Sequence, residues 1–173
     1  MLKKILLLTL MLYSVSPLWA QTPVLEPEFN DGKLSHPADI IQRNYKPNRQ
    51  ELYKLCMNSV AFVKFSIGKD GLVKDIAVTT DTPPAIANAL KEAVKATNSY
   101  WKPKYVNGKA VESDPFVMPL VFYYSLGCNG DMEVIQSNKF NVGMKNMLTF
   151  DDGNTLQMMK CTLLPAFITA AHN

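Results

Sequence analysis

Residues 60–124 read VAFVKFSIGKDGLVKDIAVTTDTPPAIANALKEAVKATNSYWKPKYVNGKAVESDPFVMPLVFYY, and this stretch decides the fold. From Ser59 to Ile67 the odd residues Ala61, Val63, Phe65 and Ile67 share one apolar face, the alternation of a half-buried strand. Gly68-Lys69-Asp70-Gly71 carries the Asp-Gly signal of a tight hairpin. Leu72 to Thr80 is then the return strand, with Leu72, Ile76 and Val78 expected on one face and Asp75 on the other with Val73, Ala77 and Thr79. Asp81-Thr82-Pro83-Pro84 starts a helix, with Thr82 or Asp81 as the expected cap and proline tolerated in the first turn, where its missing N–H has no partner anyway. Ile86, Ala89, Leu90, Ala93, Val94 and Thr97 fall on one stripe, and Asn88, Lys91, Glu92, Lys95 and Asn98 on the wet side. A helix of about four turns with one apolar face must lie on something apolar, and the hairpin supplies the nearest such face. Tyr100-Trp101-Lys102-Pro103 ends the helix, Asn107-Gly108-Lys109 turns, and Pro115 to Tyr124 is a third strand.

The expected fold class is therefore α+β: a small antiparallel sheet with a β-β-α-β core and one helix packed on it. Pro119 lies inside the third strand. Proline cannot donate to a ladder, so this strand is expected at a sheet edge. Two readings of that edge stay open. Its side chains Phe116, Met118, Leu120, Phe122 and Tyr124 could mark a strand that accepts a partner's strand by main-chain hydrogen bonding. Alternatively Pro119 blunts the edge and the C-terminal extension covers it.

Working outward, residues 1–20 look like an export signal. Lys3 and Lys4 are basic, residues 5–12 are almost wholly apolar, and Ala20 is a small residue at a suitable cut. The apolar run is short for a membrane span, which needs about 20 residues. Cleavage after Ala20 and a periplasmic location are expected, with an inner-membrane anchor as the alternative. Removing Lys3 and Lys4 takes the formal charge from +3 to +1. Lys and Asp/Glu are interspersed, which argues against the dense basic face that nucleic acid requires. The remaining chain of about 150 residues can bury about 68–70% of its unfolded surface, so it needs no metal or disulfide to fold.

Residues 21–57 read as a lead-in, extended and poorly packed to Pro37, then two short helical pieces with Asp39 and Asn48 as N-caps. Residues 58–125 form the core domain. Residues 126–173 form an extension in which Asp151-Asp152-Gly153-Asn154 is the turn of a further hairpin. Of the three cysteines, Cys128 and Cys161 are the expected bridge because it would staple the extension, with Cys56 a buried small hydrophobe.

Chemistry-bearing residues are sparse. His36 and His172 are the only histidines, both in end segments, and a Cys–His nucleophile would need one of them carried to a distant thiol. No two Cys or His have zinc-ligand spacing. Asp151-Asp152, even with Asp131 and Glu133, is explained by turn chemistry. The glycines are scattered at turns rather than forming a phosphate loop. No catalytic residue, metal, cofactor or small-molecule substrate is expected. Trp101 is expected to plug the end of the core.

The order Val63-x-Phe65-x-x-x-Lys69-Asp70-Gly71-x-Val73-x-Asp75, then Pro83-Pro84, the Ala/Leu helix, Trp101-Lys102-Pro103, Asn107-Gly108-Lys109 and Pro119 in an aromatic strand, resembles the TonB C-terminal domain. Pro27-Glu28-Phe29 and Gly32 resemble the lead-in of the Bacteroidetes-type versions. The resemblance spans roughly residues 27–124. It implies a periplasmic protein-interaction module that binds short segments of TonB-dependent outer-membrane transporters. The chain departs from a working transducer in its cleavable N-terminus, its lack of a Pro-rich spacer and its added C-terminal residues. An accessory or structural exported protein that keeps the fold without transducing energy is the alternative.

Overall fold

The structure is a computed structural model, and it describes residues 23–33, 36–124, 149–154 and 160–171. Ten strands and three helices are used below. They are β1 (Val24–Leu25), β2 (Glu28–Phe29), α1 (Pro37–Asn44), α2 (Arg49–Leu52), β3 (Met57–Ile67), β4 (Val73–Val78), α3 (Pro84–Lys95), β5 (Trp101–Lys102), β6 (Lys104–Val106), β7 (Lys109–Val111), β8 (Phe116–Tyr124), β9 (Thr162–Leu163) and β10 (Phe167–Ala171).

The main sheet runs β10-β8-β3-β4, with β9 also on β8. β3 is antiparallel to both β4 and β8, and α3 packs across the β3–β4 side. The protein is thus α+β, with the expected β-β-α-β order at its centre. β3 buries alternate residues, Ser59, Ala61, Val63, Phe65 and Ile67, because successive side chains of a strand point to opposite faces. α3 buries Ile86, Ala89, Leu90, Ala93 and Val94, the stripe that its spacing predicts. Burying each large apolar side chain of that stripe stabilises the fold by about 1.5–3 kcal/mol.

The return strand departs from simple alternation. Lys64 pairs with Ala77 but Ser66 with Lys74, so two residues of β4, Asp75 and Ile76, stand opposite Phe65 alone. This is a β-bulge, and Asp75 reaches it by adopting φ 51°. The bulge shifts the phase of β4. Val73 and Val78, expected on opposite faces, therefore both pair with core residues of β3, Ile67 and Val63, while Leu72, expected on the face of Val78, is 47% exposed.

The helix caps also differ from expectation. Pro83 is the N-cap of α3 and makes no side-chain cap, because the Thr82 hydroxyl bonds Thr79 Oγ1 at 2.9 Å instead. α1 begins at His36, whose Nδ1 accepts the Ala38 N–H, while Asp39 at the third position closes the capping box. Asn48 caps α2 as expected.

Residues 23–33 of the lead-in are mostly exposed, Val24 and Leu25 included, but Phe29 is held against the core. Phe29 pairs with Trp101 across β2–β5, their rings edge-on at 5.0 Å. Trp101 also meets Phe116 at 5.0 Å and donates its indole N–H to Thr97 Oγ1 at 2.9 Å, so it closes the end of the core. Gly71, at φ 77°, lies so near that a Cβ there would stand 2.8 Å from the Trp101 carbonyl oxygen. Asn107 and Gly108 both take positive φ, 53° and 74°, the tight turn that joins β6 to β7. One hydrophobic core draws on all three stretches of the chain: Ile41 and Leu52 from the lead-in, the sheet and α3 from the centre, Leu164 and Phe167 from the extension.

The arms of the hairpin expected in the extension lie largely outside the described residues. The described strands β9 and β10 each run parallel to β8. The turn at residues 151–154 does form, and it folds back onto β4. Asp151 accepts the Val78 N–H on Oδ1 and donates its own N–H to Val78 O.

Candidate functional site

The candidate site is the edge of β8 turned away from β3. Phe116, Met118, Leu120, Phe122 and Tyr124, the side chains expected to meet a partner, are all buried. They form the core face under the helices, so they are not a display surface. What a partner's strand would use is the backbone of the intervening residues. Phe62 turns its carbonyl to β4, where it accepts the Thr79 N–H, so its pair with Pro119 is one that exchanges no ladder hydrogen bonds. The N–H and C=O groups of Val117, Val121 and Tyr123 therefore point away from β3, and so does the nitrogen of Pro119.

The chain itself occupies that edge. The Thr162 N–H donates to Pro115 O and the Leu164 N–H to Val117 O, each at 2.8 Å. β10 then pairs with residues 120–124. The expectation of an edge strand is corrected accordingly: β8 lies inside the sheet, and Pro119 is tolerated there because its nitrogen faces the one interruption in the second ladder. The pairing shows how that interruption is made. β9 sets Val117 opposite Leu163, whereas β10 sets Leu120 opposite Phe167, so the extension carries one extra residue past Pro119. Pro165 lies in that excursion.

Among the described residues, Leu164 and Phe167 anchor the part of the extension along β8, 5% and 6% exposed. Phe167 meets Tyr45 from the lead-in edge-on at 5.5 Å. The Tyr45 hydroxyl lies 3.3 Å from that of Tyr124, which in turn lies 3.4 Å from Thr169 Oγ1. Burial, and then its bond with Tyr124, push the Tyr45 hydroxyl well above the ordinary tyrosine range. Neither Tyr45 nor Phe167 stood out in the sequence. The available signal was Leu164-Pro165-Ala166-Phe167, two large apolar residues around a proline.

The edge of β4 is closed by other means. Asn98 Oδ1 accepts the Val73 N–H at 2.7 Å, and Asp151 takes Val78 at the other end. Phe150, 1% exposed, lies against Lys64, whose ammonium stands 4.8 Å from the ring centroid and 2.8 Å from Asp152. Burial raises the Asp152 carboxyl, but Lys64 and the Asn154 N–H outweigh it and leave it below the ordinary range.

Open depressions lie elsewhere among the described residues. A groove of about 720 Å³ runs between α2 and the start of α3, past Leu55, Pro83 and Ala89 with Lys46 and Asn88 on its rim. A cavity of about 480 Å³ lies beside the bulge, where the Ser66 hydroxyl stands 2.9 Å from Glu112 Oε1 and 3.2 Å from Asp75 Oδ2. Among the described residues no group of three His, Cys, Asp or Glu could hold a metal ion, and no helix is long and apolar enough to cross a membrane. His36 is used as a helix cap, and His172, Asp131 and Glu133 lie outside the described residues.

The expected Cys128–Cys161 bridge is contradicted. Cys56 is the disulfide-bonded cysteine, while Cys161 remains a thiol. Packing of the extension against β8 already holds Leu164, three residues from Cys161, in the core, so no bridge at Cys161 is needed to fasten it. Cys128, outside the described residues, is the one other cysteine of the chain.

Compared with family models, with curated proteins and with solved structures, the chain matches none.

Proposed function

We propose that the protein is an exported TonB-like interaction module whose recognition edge is held by its own C-terminal strands, so that it works as an accessory protein by binding rather than as an energy transducer. One observation carries the reading: the free edge of β8, the place where a β-β-α-β module would add a partner's strand, is filled by β9 and β10. The sequence features that support export are the basic start, the short apolar run and Ala20. The ordered motifs from Val63 to Pro119 support the TonB-like core. The partner class is a short extended protein segment, such as one from a TonB-dependent outer-membrane transporter.

Two measurements test this reading. N-terminal sequencing of the protein recovered from the periplasm should begin at Gln21, and an intact Met1 would return the membrane-anchored alternative. Expression in cells lacking their own transducer should leave transporter-dependent uptake at background, and restored uptake would overturn the accessory role.

A further inference from the structure

Pro119 dictates the spacing of whatever lies along β8. In an unbroken strand, residues three apart point to opposite faces. Leu164 and Phe167 are three apart, yet both are buried in the same core, opposite Met118 and Leu120, which are two apart. The extra residue between them accounts for the difference. It lifts the strand away where Pro119 offers no N–H and sets both anchors on the core side.

The hold on this edge is narrow. Leu163 and Ile168, on the outward face, are 60% and 65% exposed, and among the described residues Leu164 and Phe167 alone of the extension join the core cluster. β10 pairs with β8 and no other described strand.

We infer that Thr162–Ala171 is an autoinhibitory strap, an intramolecular stand-in for a partner segment that carries two bulky apolar side chains three residues apart. The inference rests on the reading of β8 as a recognition edge and adds its regulation and its sequence preference. A partner with alternating apolar residues, two apart, would put its second anchor on the wrong face after passing Pro119.

The test uses the full mature chain and a fluorescent peptide with the sequence of Thr162–Ala171 as probe. Thr169→Pro removes an N–H that strand alternation directs at Val121 O, and it leaves both anchors in place. Phe167→Ala removes one anchor and serves as an independent release. Each released chain should bind the probe at least tenfold more tightly than the wild type. A probe lacking the residue equivalent to Ala166, with its anchors two apart, should bind the released chains at least tenfold more weakly than the intact probe. Equal binding to wild type and to both released chains would overturn the strap while leaving the recognition edge standing. No binding to any of them would overturn the strap and the edge together. Equal binding of the shortened probe would overturn the spacing preference.

Discussion

Tyr45, in the loop after α1, stacks edge-on against Phe167 of the last strand, their ring centroids 5.5 Å apart. The contact joins the lead-in to the extension over the edge of β8. Replacing Phe167 by Ala should cost about 3 kcal/mol, toward the low end for a buried Phe because a site at a sheet edge can partly collapse. Urea unfolding of the mature chain measures this. A loss under about 1 kcal/mol would mean that the ring is not packed as described.

Tyr45 also sets a pH dependence. Its hydroxyl titrates above the ordinary value of 10.0 in the folded protein, first because of burial and then because of Tyr124. The unfolded chain therefore loses this proton before the folded one does. Stability linked to Tyr45 is full below pH 10 and falls as the pH rises beyond it, by up to about 1.4 kcal/mol per pH unit. Comparing Tyr45→Phe with wild type across pH 8.5–11 isolates the effect, since other groups titrate in both. The difference in stability should shift in favour of the variant above pH 10. A constant difference would contradict the buried hydroxyl.

Lys64 should act as a clamp on the turn at residues 151–154. Its ammonium lies over the Phe150 ring and pairs with Asp152 at 2.8 Å. A partly exposed cation–π contact and ion pair are each worth about 0.5–1 kcal/mol, so Lys64→Ala should lose about 1 kcal/mol and Lys64→Arg much less. Amide exchange gives a more specific readout. The Val78 and Thr80 N–H groups, held by Asp151 Oδ1 and Thr149 O, should exchange faster in Lys64→Ala. Unchanged exchange would show that the turn is held without Lys64.

The cysteine inventory gives a covalent prediction. With Cys56 bonded and Cys161 a thiol, a digest alkylated without reductant should leave Cys56 unmodified and Cys161 alkylated. A Cys128–Cys161 link would contradict the structure.

Much of the centre of the fold was legible from period alone. The stripe Ile86, Leu90, Val94 and the alternation Ala61, Val63, Phe65 are local patterns that survive folding unchanged, and Asn107-Gly108 names its own turn through the positive φ it requires. The inward face of β4 was not legible, because the bulge at Asp75 adds a residue that no alternation rule anticipates. His36 was missed as a cap because histidine is an uncommon one. The site was half legible. Pro119 rightly announced something unusual about the edge of β8. That the extension covers the edge was one of the two readings left open. The residues that do so were hidden because Leu164 and Phe167 share a face only after the chain steps over that proline, a spacing that matches neither a strand nor a helix.

Amide hydrogen exchange of the wild-type chain, followed residue by residue, tests the central claim most directly. If β10 occupies the edge of β8, the Val121 and Tyr123 N–H groups, which strand alternation turns toward it, should be protected to a degree comparable with Ala61 and Val63 at the centre of the sheet, even though Tyr123 is 40% exposed. Exchange of Val121 and Tyr123 at the rate of an open strand edge would contradict the claim.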